Sequence, residues 1–86
     1  MYKLRISKRA ENEIKKISQP HQEAIIIALL EIKEEPLLGR PLMRELTGQF
    51  SFRVGAYRII YKVNKKDKNI DVLSAGHRAT VYKKKL

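Results

Sequence analysis

Phe50-Ser51-Phe52-Arg53-Val54-Gly55-Ala56-Tyr57-Arg58-Ile59-Ile60-Tyr61-Lys62-Val63 holds two runs of alternating side chains around a Gly-Ala pair. Period two is the side-chain repeat of a β-strand, and glycine supplies the backbone freedom of a tight turn, so the stretch reads as an antiparallel hairpin. Downstream, Asn64 to Asn69 is a polar hairpin loop, and Ile70 to Gly76 is apolar on both parities, as expected of a central strand buried on both faces. A basic tail, His77 to Leu86, follows. Upstream, Leu37 to Gln49 carries Gly39, Pro41 and Gly48 and reads as an ordered loop.

Tyr2-Lys3-Leu4-Arg5-Ile6 alternates apolar and basic residues and reads as a further strand. Ser7 can cap a helix in which Ala10, Ile14 and Ile17 recur at helical spacing as far as about Ser18. Pro20 suits the first turn of a second helix that runs to about Glu35 and stops at Pro36. The predicted order is β-α-α-β-β-β, an α+β fold with a helical hairpin packed on one face of a small twisted, mostly antiparallel sheet, in a single domain over residues 1–86. On the second helix Ile25, Ala28, Leu29 and Ile32 make one apolar face, and Ile26, Ile27 and Leu30 widen it. Either the helix is sandwiched between its neighbour and the sheet, or it keeps an apolar patch for a protein partner.

The formal net charge is +10, unevenly spread. Residues 1–36 carry seven Lys/Arg against six Glu, and residues 37–86 carry twelve against three acids. If the helices cover the face bearing Leu4, Phe52, Ile59 and Tyr61, the other face gathers Lys3, Arg5, Arg53, Arg58 and Lys62. One basic sheet face fits a polyanion, with RNA favoured, because guanidinium forks grip phosphates bidentately. An anionic membrane fits less well, since there is no basic amphipathic helix. The longest apolar run, Ala24 to Leu30, is far short of the roughly 20 residues of a membrane span, and the start does not resemble a signal peptide. With no cysteine, the expectation is a cytoplasmic protein.

Neither His21 nor His77 has a carboxylate clustered near it in sequence, so no metal site and no cofactor is expected. What remains is Tyr57-Arg58, then Gly76-His77-Arg78, then Val81-Tyr82-Lys83. These suit metal-free RNA cleavage, in which a 2′-hydroxyl attacks phosphorus and the site must take one proton, stabilise a dianionic phosphorane and return a proton to the 5′-oxygen. Arg58 and Arg78 would supply charge stabilisation. Tyr82 would act as base or stack on a nucleobase. The proton donor is split between Arg78 and His77. Tyr57 and Tyr61 read more simply as core aromatics with hydrogen-bonded hydroxyls, and His77 as a strand-end residue.

Gly55-Ala56-Tyr57-Arg58-Ile59-Ile60-Tyr61, Gly76-His77-Arg78 and Val81-Tyr82, in that order and spacing, resemble the RelE/ParE toxin superfamily, in particular its RelE-like branch. Glu35-Pro36 at the helix end and Leu46-Thr47-Gly48 before the sheet extend the likeness along the chain. The resemblance implies the toxin of a type II toxin-antitoxin system. Such a toxin is a metal-independent, ribosome-dependent endoribonuclease (an mRNA interferase) that cuts messenger RNA in the A site of the small ribosomal subunit and blocks translation. Arg58, Arg78 and Tyr82 then fall on its catalytic positions, with His77 as a further candidate. Lys3, Arg5, Arg53, Lys62, Lys83 and Lys84 would hold RNA. Ser51 and Thr47 stand where that branch usually has basic residues, which implies either slower cleavage or a substitute in Lys62, Lys83 or another lysine. A cognate antitoxin with a small acidic segment would cover the basic face and the apolar Ile26, Ile27 and Leu30. Two other functions stay open: a DNA gyrase inhibitor resembling the ParE branch, and an RNA-binding module without chemistry.

Overall fold

The computed structural model describes residues 2–43 and 47–77. Five strands, β1 (Lys3–Ile6), β2 (Arg40–Pro41), β3 (Gln49–Val54), β4 (Tyr57–Asn64) and β5 (Asn69–His77), form one sheet in the order β1-β5-β4-β3-β2. The β3–β4 and β4–β5 hairpins are antiparallel as expected, whereas β1 runs parallel to β5. Gly55 makes the first turn at φ 60°, left-handed backbone that glycine adopts without steric cost.

Two helices, α1 (Lys8–Lys15) and α2 (Gln19–Glu34), lie between β1 and β2 in the chain. Ser7 starts α1 as its N-cap, accepting from the Ala10 amide, and ties it to β5 by donating from Oγ to the Leu73 carbonyl at 3.1 Å. β1 pairs with β5 only as far as Val72, so the remaining edge of β5 needs other partners. The Glu13 carboxylate supplies one, accepting from the Ser74 hydroxyl (2.9 Å) and the Ala75 amide (3.1 Å).

The core contains Ile25, Ala28, Leu29 and Ile32 of α2 against Ile59, Tyr61, Ile70, Val72 and Ala75 of the sheet. At roughly 1.5–3 kcal/mol for each large side chain buried, the one apolar face anchors α2. Ile26, Ile27 and Leu30 remain 49%, 59% and 56% exposed. The sandwiched alternative therefore fails: the sheet takes one face of α2, and α1 leaves Ile26, Ile27 and Leu30 uncovered on the other.

Two expectations need correction. The segment Leu37 to Gln49 is not only a loop: it opens with a 3₁₀ turn (Pro36–Leu38) and adds β2 to the sheet edge, pairing Arg40 with Ser51 and Pro41 with Phe50. The double-parity apolar run in β5 belongs to an interior strand beside the edge strand β1 and not to the centre of the sheet, which is β4, and it has a second cause. A bulge opposite Ile60/Tyr61 makes Val72 face Tyr61 and Ala75 face Ile59, so residues three apart in sequence both enter the core.

Candidate functional site

The face of the sheet away from the core is not one continuous basic surface but two groups. Register places Arg5, Asp71, Lys62 and Gln49 side by side in one row across β1, β5, β4 and β3. The Arg5 guanidinium donates from Nε to Asp71 at 2.8 Å, and this bond raises the Arg5 pKa further. Asp71 thus offsets charge in the middle of the group formed by Lys3, Arg5 and Lys62. The next row, Ser74, Ile60 and Ser51, is neutral and nearly fully buried.

Beyond that row lies the second group. Arg53 and Arg58 are direct cross-strand partners in the β3–β4 ladder, and Gly76 sits on the other side of Arg58. Arg58 donates from Nη1 to the Ser51 hydroxyl at 3.2 Å, which orients one guanidinium along the strand. Arg40, paired with Ser51, takes the same face. Arg40, Arg53 and Arg58 line a cleft of about 350 Å³ with Ser51, Phe52 and Gly39. Arg40 carries no role in the sequence reading. Its signal is faint, because a two-residue strand has too little alternation to announce itself.

One buried tyrosine fixes the geometry of this cleft. Tyr61 donates from its hydroxyl to the Pro36 carbonyl (2.8 Å) and accepts from the Gly39 amide (2.9 Å). Burial raises its pKa, an effect that the Gly39 bond only partly opposes. A Cβ at Gly39 would lie 2.7 Å from the Tyr61 hydroxyl and 3.0 Å from the Ser51 carbonyl, so only glycine lets the chain pass this close.

Of the residues expected in the site, the structure brings together Arg53 and Arg58. Lys3, Arg5 and Lys62 stand at the other end of the sheet face. His77 pairs with Tyr57 and meets its ring edge-on at a centroid distance of 6.0 Å, on the opposite parity from Arg58. His21, at the start of α2, approaches the same ring at 5.2 Å, so both histidines gather around Tyr57. Arg78, Tyr82, Lys83 and Lys84 lie outside the described residues. Among the described residues no three His, Cys, Asp or Glu side chains are arranged to hold a metal ion, and no helix is long and apolar enough to cross a membrane.

A helical pair over a five-stranded mixed sheet is the build shared with small toxins of type II toxin-antitoxin systems. The chain belongs to the family of ParE toxins of these systems, whose model matches residues 4–82, and within the RelE/ParE group it is a RelE-like toxin. It is 33% identical over 85 residues to toxin RelG of Mycobacterium tuberculosis, covering 96% of this chain and 98% of that protein. The RelBE2 toxin-antitoxin complex of M. tuberculosis superposes with a TM-score of 0.83 at 32% identity, over 90% of this chain and 98% of the matched one. The isolated Escherichia coli RelE toxin does so with a TM-score of 0.78 at 25% identity, over 99% and 95%. An archaeal RelE–RelB complex from Pyrococcus horikoshii gives 0.76 at 28% identity, over 90% and 94%.

Proposed function

We propose that this toxin is a metal-independent endoribonuclease that cuts messenger RNA in the ribosomal A site, acting in the cytoplasm where ribosomes are. The observation that carries the reading is the opposed pair Arg53 and Arg58 beside an open cleft. Two like charges held directly across a ladder repel each other, and a phosphate or phosphorane between them turns that repulsion into binding.

In this mechanism Arg58, oriented by Ser51, stabilises the charge that develops on the phosphorane oxygens, and Arg53 holds the backbone. Tyr82 takes the proton of the attacking 2′-hydroxyl. Arg78 shares the charge and returns a proton to the leaving 5′-oxygen, a role that His77 does not take because it faces Tyr57 on the other side of the sheet. Lys3, Arg5, Lys62, Lys83 and Lys84 extend the track for the RNA strand and ribosome. The M. tuberculosis and P. horikoshii relatives occur in complexes with their antitoxins, which supports a cognate antitoxin here. The exposed Ile26, Ile27 and Leu30 of α2 offer it an apolar dock, and the arginine cleft offers a place for its acidic side chains.

The test is to add the purified chain to programmed ribosomes and map messenger ends. Cuts in the A site that disappear in Arg78→Ala and Tyr82→Phe are expected. The ParE family match favours one rival, inhibition of DNA gyrase, and intact messenger together with accumulating gyrase-cleaved DNA would establish it instead.

A further inference from the structure

We propose that Arg40 is a third phosphate-binding residue of the cleft, holding the RNA backbone next to the phosphate at Arg53 and Arg58, and that Tyr61 positions it. The inference rests on the RNA reading above. Ser51 lines the cleft, but it is neutral, 3% exposed and already engaged by Arg58. Arg40 stands directly across from Ser51 in the β2–β3 register and is exposed, so its guanidinium brings to that position the charge that Ser51 lacks. As a fork on a fixed strand it matches phosphate geometry and gives up less freedom on binding than a loop lysine would.

A two-residue strand cannot hold a side chain in place unaided, and the surrounding contacts are concentrated there. The Leu42 amide donates to the Gln49 carbonyl at 2.9 Å on one side of the strand. On the other, the Tyr61 hydroxyl binds both Gly39 and Pro36, and the residue before Arg40 has no space for a side chain. Tyr61 itself is fully buried in the core. Its phenol therefore transmits the rigidity of the sheet to the backbone that carries Arg40, without touching the cleft's ligand.

Binding can be read apart from cleavage with a fluorescent 2′-O-methyl hexaribonucleotide, which lacks the attacking hydroxyl. By anisotropy across a salt series, Arg40→Gln is expected to bind about tenfold more weakly, as for one charge-assisted contact. The slope of log affinity against log salt should fall by about 0.7. Arg40→Lys, which keeps the charge, should recover most of that slope. Tyr61→Phe should weaken binding in the same direction, and the double variant should bind no worse than Arg40→Gln alone. On programmed ribosomes Arg40→Gln should raise KM and leave kcat unchanged. Wild-type affinity and slope in Arg40→Gln, or no binding by the unaltered chain, would overturn the proposal, and additive losses in the double variant would remove Tyr61 from it. Arg40-dependent binding by a chain that leaves messenger intact would overturn the cleavage reading and keep this one. Messenger cut with equal KM by the Arg40→Gln variant would do the reverse.

Discussion

Arg53 and Arg58 stand directly opposite each other in the β3–β4 ladder, with Arg40 on the same face one row away. Opposed like charges on neighbouring strands destabilise a sheet, by roughly 0.2–1 kcal/mol per pair. Arg53→Gln is therefore expected to raise the urea midpoint at an unchanged m-value while weakening RNA binding. A lower midpoint with unaltered binding would show that the pair is structural.

Glu13 accepts two hydrogen bonds from the β5 edge, one from a nearly fully buried hydroxyl. Glu13→Ala leaves both donors to find other partners and should cost about 2–3 kcal/mol, despite alanine's higher helix propensity. Chemical unfolding measures the loss, and Glu13→Gln, which keeps an acceptor, should lose less.

Tyr61 titrates above its ordinary value of 10.0 because burial disfavours the phenolate. The folded state then holds a proton that the unfolded state has released, so stability is level below about pH 10 and falls as pH rises through the folded-state value. Tyr61→Phe should cost about 1–2 kcal/mol at neutral pH by leaving Gly39 and Pro36 without their partner, and should flatten the alkaline fall. Urea midpoints between pH 8 and 11 test both effects.

Ile27 and Leu30 contribute exposed side chains to α2 opposite its buried face. Ile27→Glu and Leu30→Glu should each change folding stability by less than about 0.5 kcal/mol. Each should weaken capture of the cognate antitoxin about tenfold or more, as loss of an apolar anchor does. Titration of the purified antitoxin against each variant measures this, and unchanged affinity would move the docking surface elsewhere.

Strand alternation, the Gly55 turn, the Ser7 cap and the Pro36 stop are local signals, and all were legible before any coordinates. Each depends on a residue's own backbone preference or on neighbours within a turn. The two apolar faces of α2, one with Ile25, Ala28, Leu29 and Ile32 and one with Ile26, Ile27 and Leu30, were also readable, since helical periodicity orders side chains around one axis, but that the second stays exposed was decided by packing. Arg40 was not readable. A two-residue strand has no period to detect, and its place beside Arg53 and Arg58 depends on pairing with a segment about ten residues away.

The kind of fold, the excess of positive charge in the sheet-forming half and the residues that alternate toward one face are all written in the amino-acid order. That order could not say how those charges group, because grouping depends on register between strands distant in the chain. The parallel pairing of β1 with β5 sets Arg5 against Asp71, the register of β3, β4 and β5 places the neutral buried Ser51, Ile60 and Ser74 between two basic groups, and the pairing of β2 with β3 puts Arg40 at the outer end of that row. Three arginines, one of them without a sequence signature, share a single cleft only once the chain is folded, because β2–β3 pairing, the Leu42 bond to Gln49 and the Tyr61 bonds to Gly39 and Pro36 together fix the backbone that brings the third to the other two.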